Sequence, residues 1–166
     1  MVTETVLSLA DADATTAYAA QLAQRLRTLR RSWAGPLQLQ LHGDLGAGKT
    51  TLARALLAAL GHAGRVRSPT YTLCEPYTIA VADAAALPLQ VYHFDLYRFG
   101  QPEEWFDAGF DEHLAADAIT LIEWPDKAPG LLGTPDLSLH LQADPADPGR
   151  RLMRVIAATE HGRQLL

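Results

Sequence analysis

Asparagine is absent from this chain of 166 residues, lysine occurs only at Lys49 and Lys127, and Cys74 is the single cysteine. A lone thiol cannot close an internal disulfide, so the fold must be held by burial, and the expected setting is reducing and cytoplasmic. The opening residues, MVTETVLSLADADA, carry Glu4 and neither a basic start nor a long apolar core, unlike a secretory leader. No uninterrupted apolar run approaches the ~18 residues that a membrane helix needs, so no membrane partner is expected.

Fourteen Lys and Arg stand against nineteen Asp and Glu, a net charge of −5. The molecule as a whole therefore does not attract a phosphodiester backbone; a nucleic acid must meet a local patch or arrive through a partner. With 48% hydrophobic residues the chain can bury an ordinary core, and its length fits one domain over residues 1–166.

Apolar residues at Ala14, Tyr18, Leu22, Leu26 and Leu29 recur at a helical period over Asp13–Arg31, with Asp11 or Asp13 as N-cap and Gly35-Pro36 as stop. Arg25, Arg27, Arg30 and Arg31 crowd the last turns of this helix. There they either complement the helix dipole or form a patch for RNA or a partner. Leu37–Leu41 alternates like a strand, and residues 70–82 and 89–99 read as a hairpin. Ala118–Ile122 is a short apolar run typical of a covered strand. Leu137–Gln142 and Arg151–Ala157 add an antiparallel pair. Gln101–Asp117 holds six acids and no cation. That pattern suits a solvated helix face, although Trp105, Phe106 and Phe110 leave open a docking surface for a basic partner.

Between the alternating strand and the helical run Leu52–Leu60 lies Gly43-Asp-Leu-Gly-Ala-Gly-Lys-Thr-Thr51, which satisfies G-x-x-x-x-G-K-[ST] in the strand–loop–helix context that the motif requires. Glycines let the main chain wind so that the N–H groups of Gly46, Ala47, Gly48, Lys49, Thr50 and Thr51 can face phosphate oxygens at a helix N-terminus. Lys49 supplies a compact cation for the β- and γ-phosphates, and the Thr50 hydroxyl a hard ligand for Mg²⁺. Without Asn, and with Lys127 in Asp126-Lys127-Ala128-Pro129, the guanine-reading N/T-K-x-D element is missing. ATP is expected rather than GTP.

Carboxylates at the ends of neighbouring strands manage the metal and the attacking group in such folds. Glu123, ending the apolar run at Ala118–Ile122, is a candidate for Mg²⁺ directly or through water, or else a strand-end surface acid. Asp95, flanked by Phe94 and Leu96, is a candidate for ordering a water or the hydration shell of the metal; the alternative is an ion pair with Arg98 or a nearby His. Asp83 opens an Ala/Pro loop and is set aside. Ser68-Pro69-Thr70 could act as a switch segment or a plain turn, and Trp124 could pack beneath the site or cover the nucleotide. The six histidines show no metal spacing.

Together the Gly43–Thr51 loop, Ser68-Pro-Thr-Tyr-Thr-Leu73, Glu75-Pro-Tyr77, His93-Phe-Asp-Leu-Tyr-Arg98 and Glu123-Trp-Pro125 resemble the TsaE family, bacterial ATPases needed for threonylcarbamoyladenosine in tRNA. The likeness covers about residues 37–125. It implies an α/β P-loop NTPase fold whose sheet mixes parallel and antiparallel strands. It further implies Mg-ATP at the loop, Thr50 and Glu123 at the metal, and Asp95 essential for hydrolysis. The resemblance also implies that TsaD and TsaB, which catalyse the transfer, are the partners, and that tRNA is met only through their complex. Adenine contacts in the family come from an N-terminal segment and a Gly-Arg pair, here Gly149-Arg150, of which Gly149 is taken as a contact.

The expected reaction is in-line attack of water on the γ-phosphate, slow in the isolated chain because no arginine finger beyond Arg98 is evident. Two rivals remain from the sequence: a small-molecule kinase, for which Arg150, Arg151 and Arg154 would be the lid, and a nucleotide-switched binding subunit in which hydrolysis is incidental.

Overall fold

A computed structural model describes residues 1–82 and 86–166. Along the chain come β1 (Thr3–Leu9), α1 (Ala12–Arg30), β2 (Leu37–His42), α2 (Lys49–Leu60), β3 (Cys74–Ile79), β4 (Leu89–Asp95), α3 (Pro102–Asp107) and α4 (Phe110–Ala115). They are followed by β5 (Ile119–Glu123), a 3-10 turn (Pro125–Lys127), β6 (Leu137–Asp144), β7 (Asp147–Ala157) and α5 (Glu160–Arg163). Asp83 lies outside the described residues.

The described strands form one seven-stranded sheet in the order β1-β7-β6-β2-β5-β4-β3. Strands β6, β2, β5 and β4 run parallel, while β7 and β1 on one side and β3 on the other are antiparallel to their neighbours. This is the mixed α/β sheet expected from the sequence. Among the described residues no helix is long and apolar enough to cross a membrane.

Period-two alternation decides which face each residue serves. Leu37, Leu39 and Leu41 of β2 join Leu121 of β5, Leu139 of β6 and Val155 of β7 in a core covered by α1 and α2 through Leu22, Leu26, Leu52 and Leu56. On the other face of β4 and β5, Phe94 and Ile122 are buried by Trp105 and Phe110 of α3 and α4. Strands covered on both faces read as apolar runs, as Ile119–Ile122 does.

Helix α1 starts where the sequence indicates, the Asp11 carboxylate accepting the Ala14 N–H at 2.8 Å. Its cations are committed to internal bonds: Arg25 donates to the Leu165 carbonyl, Arg27 to the Ala59 carbonyl, and Arg30 to the Gly35 carbonyl and the Asp117 carboxylate. The acid-rich stretch folds as two short helices that bury Trp105 and Phe110 and leave Phe106 59% exposed.

Two strand readings need correction. Strand β1 carries no clear sequence signal, because this edge strand turns only Leu7 and Leu9 towards the core and leaves Val6 65% exposed. The hairpin is shorter than 70–82 and 89–99. Residues 70–73 instead form a turn, closed by the Leu73 N–H on the Pro69 carbonyl (2.9 Å), with Leu73 itself at φ 62.

Candidate functional site

Lys49 begins α2, and the loop before it winds as the motif requires. Gly43 adopts φ 149, and a Cβ there would lie 2.5 Å from the Leu141 carbonyl, so only glycine lets β2 pass β6 this closely. Gly48 is the N-cap of α2 at φ 106 and offers no side chain to the N–H groups that follow. Those donors stay available for an anion. Gly46 and Thr51 are exposed, Ala47 is buried, and Thr50 is half-buried at the mouth of the loop.

The Lys49 ammonium is buried and donates to the Gly43 carbonyl at 2.5 Å and the Asp44 carbonyl at 3.0 Å. It also lies 4.0 Å from the centre of the Trp124 ring, a cation–π contact. Burial lowers its pKa, while Glu123, Asp95 and Asp44 oppose that shift. Trp124 reaches this place through a left-handed backbone at φ 56 and leans on Tyr97, with ring centres 4.9 Å apart. The half-buried indole thus covers the lysine on one side and packs against the edge of the Phe94 cluster.

Strand register assembles the acids. Asp95 and Glu123 end β4 and β5 as direct neighbours, and their shared parity with Val91, Leu121 and His93 puts all of them on the α2 face. Glu123 is 1% exposed. One of its oxygens accepts the Thr50 hydroxyl at 2.7 Å and the other pairs with His93 Nε2 at 2.7 Å. A carboxylate has only acceptors to offer, so the imidazole donates from Nε2. Asp95 is half-buried and accepts the Tyr97 N–H at 3.1 Å. Desolvation raises its pKa, the Tyr97 hydrogen bond opposes this, and the charge of Glu123 adds to the rise. Arg98 lies over the Tyr71 ring, 5.1 Å from its centre, and His93 bonds Glu123. Neither is the ion-pair partner considered for Asp95.

Sequence reasoning named Arg151 only as part of a possible kinase lid and His93 only within the His93–Arg98 motif, and gave neither the contact it makes here. The guanidinium of Arg151 donates to the carbonyls of Ala47 (3.0 Å), Gly46 (3.4 Å) and Pro148 (2.7 Å), stapling the start of β7 to the glycine loop. Gly149 lies in that stapled start of β7, its N–H on the Asp147 carboxylate at 3.1 Å. One signal was available: Arg151 shares parity with Met153, Val155 and Ala157, which point inward, so it had to emerge at the loop edge. Replacing His93 by Leu leaves one oxygen of a buried carboxylate without a donor, and a stability loss of ~3 kcal/mol is expected. Urea unfolding of His93→Leu beside His93→Gln measures it, and equal midpoints for the two variants and the parent would contradict the pairing.

Among the described residues no group of three His, Cys, Asp or Glu side chains is placed to cage a metal ion. The Thr50 hydroxyl and Glu123 carboxylate are hard oxygen donors beside an anion cradle. Such a set fits Mg²⁺, which keeps several waters and completes its shell with phosphate oxygens.

Comparisons with known proteins agree with this architecture. The model of the family "Threonylcarbamoyl adenosine biosynthesis protein TsaE" matches residues 9–152. A tRNA threonylcarbamoyladenosine biosynthesis protein TsaE from Haemophilus influenzae is 42% identical over 130 residues, covering 78% of this chain and 76% of that protein. One of the same name from Synechocystis is 38% identical over 130 residues, covering 74% and 71%. The crystal structure of YdiB from Bacillus subtilis superposes with a TM-score of 0.71 at 25% identity, over 99% of this chain and 93% of that one. The chain belongs to the TsaE family of tRNA threonylcarbamoyladenosine biosynthesis.

Proposed function

We propose that this chain binds Mg-ATP and hydrolyses it in support of the TsaD/TsaB transferase complex that forms threonylcarbamoyladenosine in tRNA. The observation that carries the reading is a buried ammonium held, among the described residues, by two carbonyls and an indole, beside a Thr50–Glu123 pair of hard oxygens. Lys49 is then desolvated and directed at the γ-phosphate, where charge develops. The N–H groups of Gly46, Ala47, Gly48, Thr50 and Thr51 hold the phosphate chain, and Gly149 lies towards the adenosine. Thr50 and Glu123 hold Mg²⁺, which when bound neutralises charge on the phosphate oxygens. Asp95 orients the attacking water. His93 fixes Glu123, so that carboxylate is set before nucleotide arrives.

The kinase alternative loses its lid. Arg151 is engaged with loop carbonyls, and Arg154 lies 3.8 Å from Glu4 on the opposite sheet face. With Arg98 over Tyr71, a missing arginine finger is worth ~10³–10⁵ in rate, so turnover by the chain alone is expected to be slow and raised by partners.

The test is calorimetry with ATP and Mg²⁺ on the parent chain and Lys49→Ala, with reconstituted tRNA modification followed alongside ATP consumption. Binding lost in Lys49→Ala and a multiple-turnover defect without the chain support the proposal. No nucleotide uptake by the chain or its assembly with TsaD and TsaB, or turnover of ~10 s⁻¹ by the chain alone, refutes it.

A further inference from the structure

Between Asp44 and Glu75 the sequence contains no acidic residue, although nineteen are spread through the chain as a whole. Within that stretch Arg54, Arg65 and Arg67 line one open cleft of about 740 Å³ together with Val66 and Ser68. All three arginines are exposed, and among the described residues none of them lies in an ion pair or donates a side-chain hydrogen bond. This distinguishes them from Arg25, Arg27 and Arg30, whose guanidiniums are committed to carbonyls and Asp117. Three guanidiniums held around one cleft in a chain of net charge −5 form a local field opposite in sign to that of the whole.

We propose that the Arg54–Arg65–Arg67 cleft is a contact surface for the phosphodiester backbone of RNA. Guanidiniums bind phosphate through paired N–H donors, and the Ser68 hydroxyl at the cleft edge adds a further donor. Beyond Ser68 the same segment presents Tyr71, 85% exposed, with Arg98 over its ring at 5.1 Å. An exposed aromatic face backed by a cation is a platform for an unstacked base, which an acidic protein segment would not use. Membership of a tRNA-modification family makes RNA the polyanion to test first. The inference departs from the expectation that tRNA is met only through partners, and it rests on the family assignment, not on the ATPase reading.

The test is binding of an unmodified transfer RNA transcript to the full chain without nucleotide, over a salt series from about 50 to 200 mM. The triple variant Arg54→Ala/Arg65→Ala/Arg67→Ala is expected to bind at least tenfold more weakly. Its dependence of log K on log salt should be shallower by roughly 2–3, the share of three lost phosphate contacts. Lys49→Ala should keep parental RNA affinity, so failure of the nucleotide proposal and failure of this one are separable. Circular dichroism of the triple variant should match the parent, because these side chains hold no internal bonds. As a second variant, Arg54→Lys/Arg65→Lys/Arg67→Lys should restore most of the salt slope. The proposal is overturned if the parent shows no binding at about 100 µM in 50 mM salt, or if the triple variant keeps the parental slope. It is also overturned if Lys49→Ala abolishes binding, which would move the RNA to the glycine loop, or if polyglutamate displaces the RNA charge for charge, which would assign the cleft to an acidic protein.

Discussion

Asp95→Asn is expected to lower ATP turnover by ~10²–10⁴ while leaving Mg-ATP affinity within a few-fold of the parent. The carboxylate stands at the end of β4 beside Glu123, with its Oδ1 taken by the Tyr97 N–H, so the second oxygen is free to accept from a water. An amide in its place is isosteric but no longer an anion. Single-turnover phosphate release with matched calorimetry reads the effect, and unchanged turnover would favour the nucleotide-switched binding subunit over a hydrolase. The same variant carries a stability signature. Burial raises the Asp95 pKa, and Glu123 adds to this, so the folded chain holds that proton more tightly than the unfolded chain does. The contribution of Asp95 to stability is therefore fully present below its unfolded pKa and is lost as pH rises through the folded value. Above its folded value the ionised group is a burden, so there Asp95→Asn should melt higher than the parent, with the gain vanishing in acid. A gain in stability on neutralising Asp95 would support a functional role for this carboxylate.

Trp105→Ala should destabilise the chain by about 3–5 kcal/mol, a large fraction of the ~5–15 kcal/mol that holds a domain folded. Trp105 is 1% exposed and lies against Phe94, Phe99 and Phe110, with ring centres 5.7, 6.0 and 5.3 Å away. Removing the indole opens a cavity behind β4 that helices as short as α3 and α4 cannot refill without losing their own anchor. A fall of roughly 10 °C in the melting midpoint is expected for a chain of this size. Trp105→Phe should recover most of it. Because Phe94 adjoins Asp95, loss of nucleotide turnover should track unfolding in Trp105→Ala rather than precede it. Urea denaturation is the measurement, and a loss under about 1 kcal/mol would mean that this lobe is not the second core described here.

Much of this was readable before any coordinates, because the signals are local. The glycine loop fixes strand, turn and helix within one run of residues. The apolar run before Glu123 announces a covered strand, and Asp11 caps α1 by a contact three residues long. What escaped notice depends on partners far away in sequence. His93 meets Glu123 across thirty positions and Arg151 reaches Ala47 across 104, pairings that only strand register creates. Strand β1 escaped because an edge strand with one solvated face has little apolar pattern to display. Trp124 was legible as a residue of the site but not in its placement, because a left-handed tryptophan has no propensity that foretells it. The acid-rich stretch was ambiguous for a different reason: its two buried rings are spaced too widely for a single helix face, and two short helices share them.

The ladder between β4 and β5 also sets where the chain can change length. Asp95 and Glu123 are paired residue for residue, and the Leu96 N–H bonds the Glu123 carbonyl just beyond them at 3.1 Å. One residue gained or lost between Val91 and Asp95 would turn the aspartate to the side of Phe94 and bring a phenylalanine or leucine beside Glu123. Insertions between Ile79 and Leu89 fall at the far end of the same strand, where Ile79 pairs with Leu89, and leave this spacing untouched. A change in loop length is thus accommodated at one end of the hairpin, while the other end must keep its count.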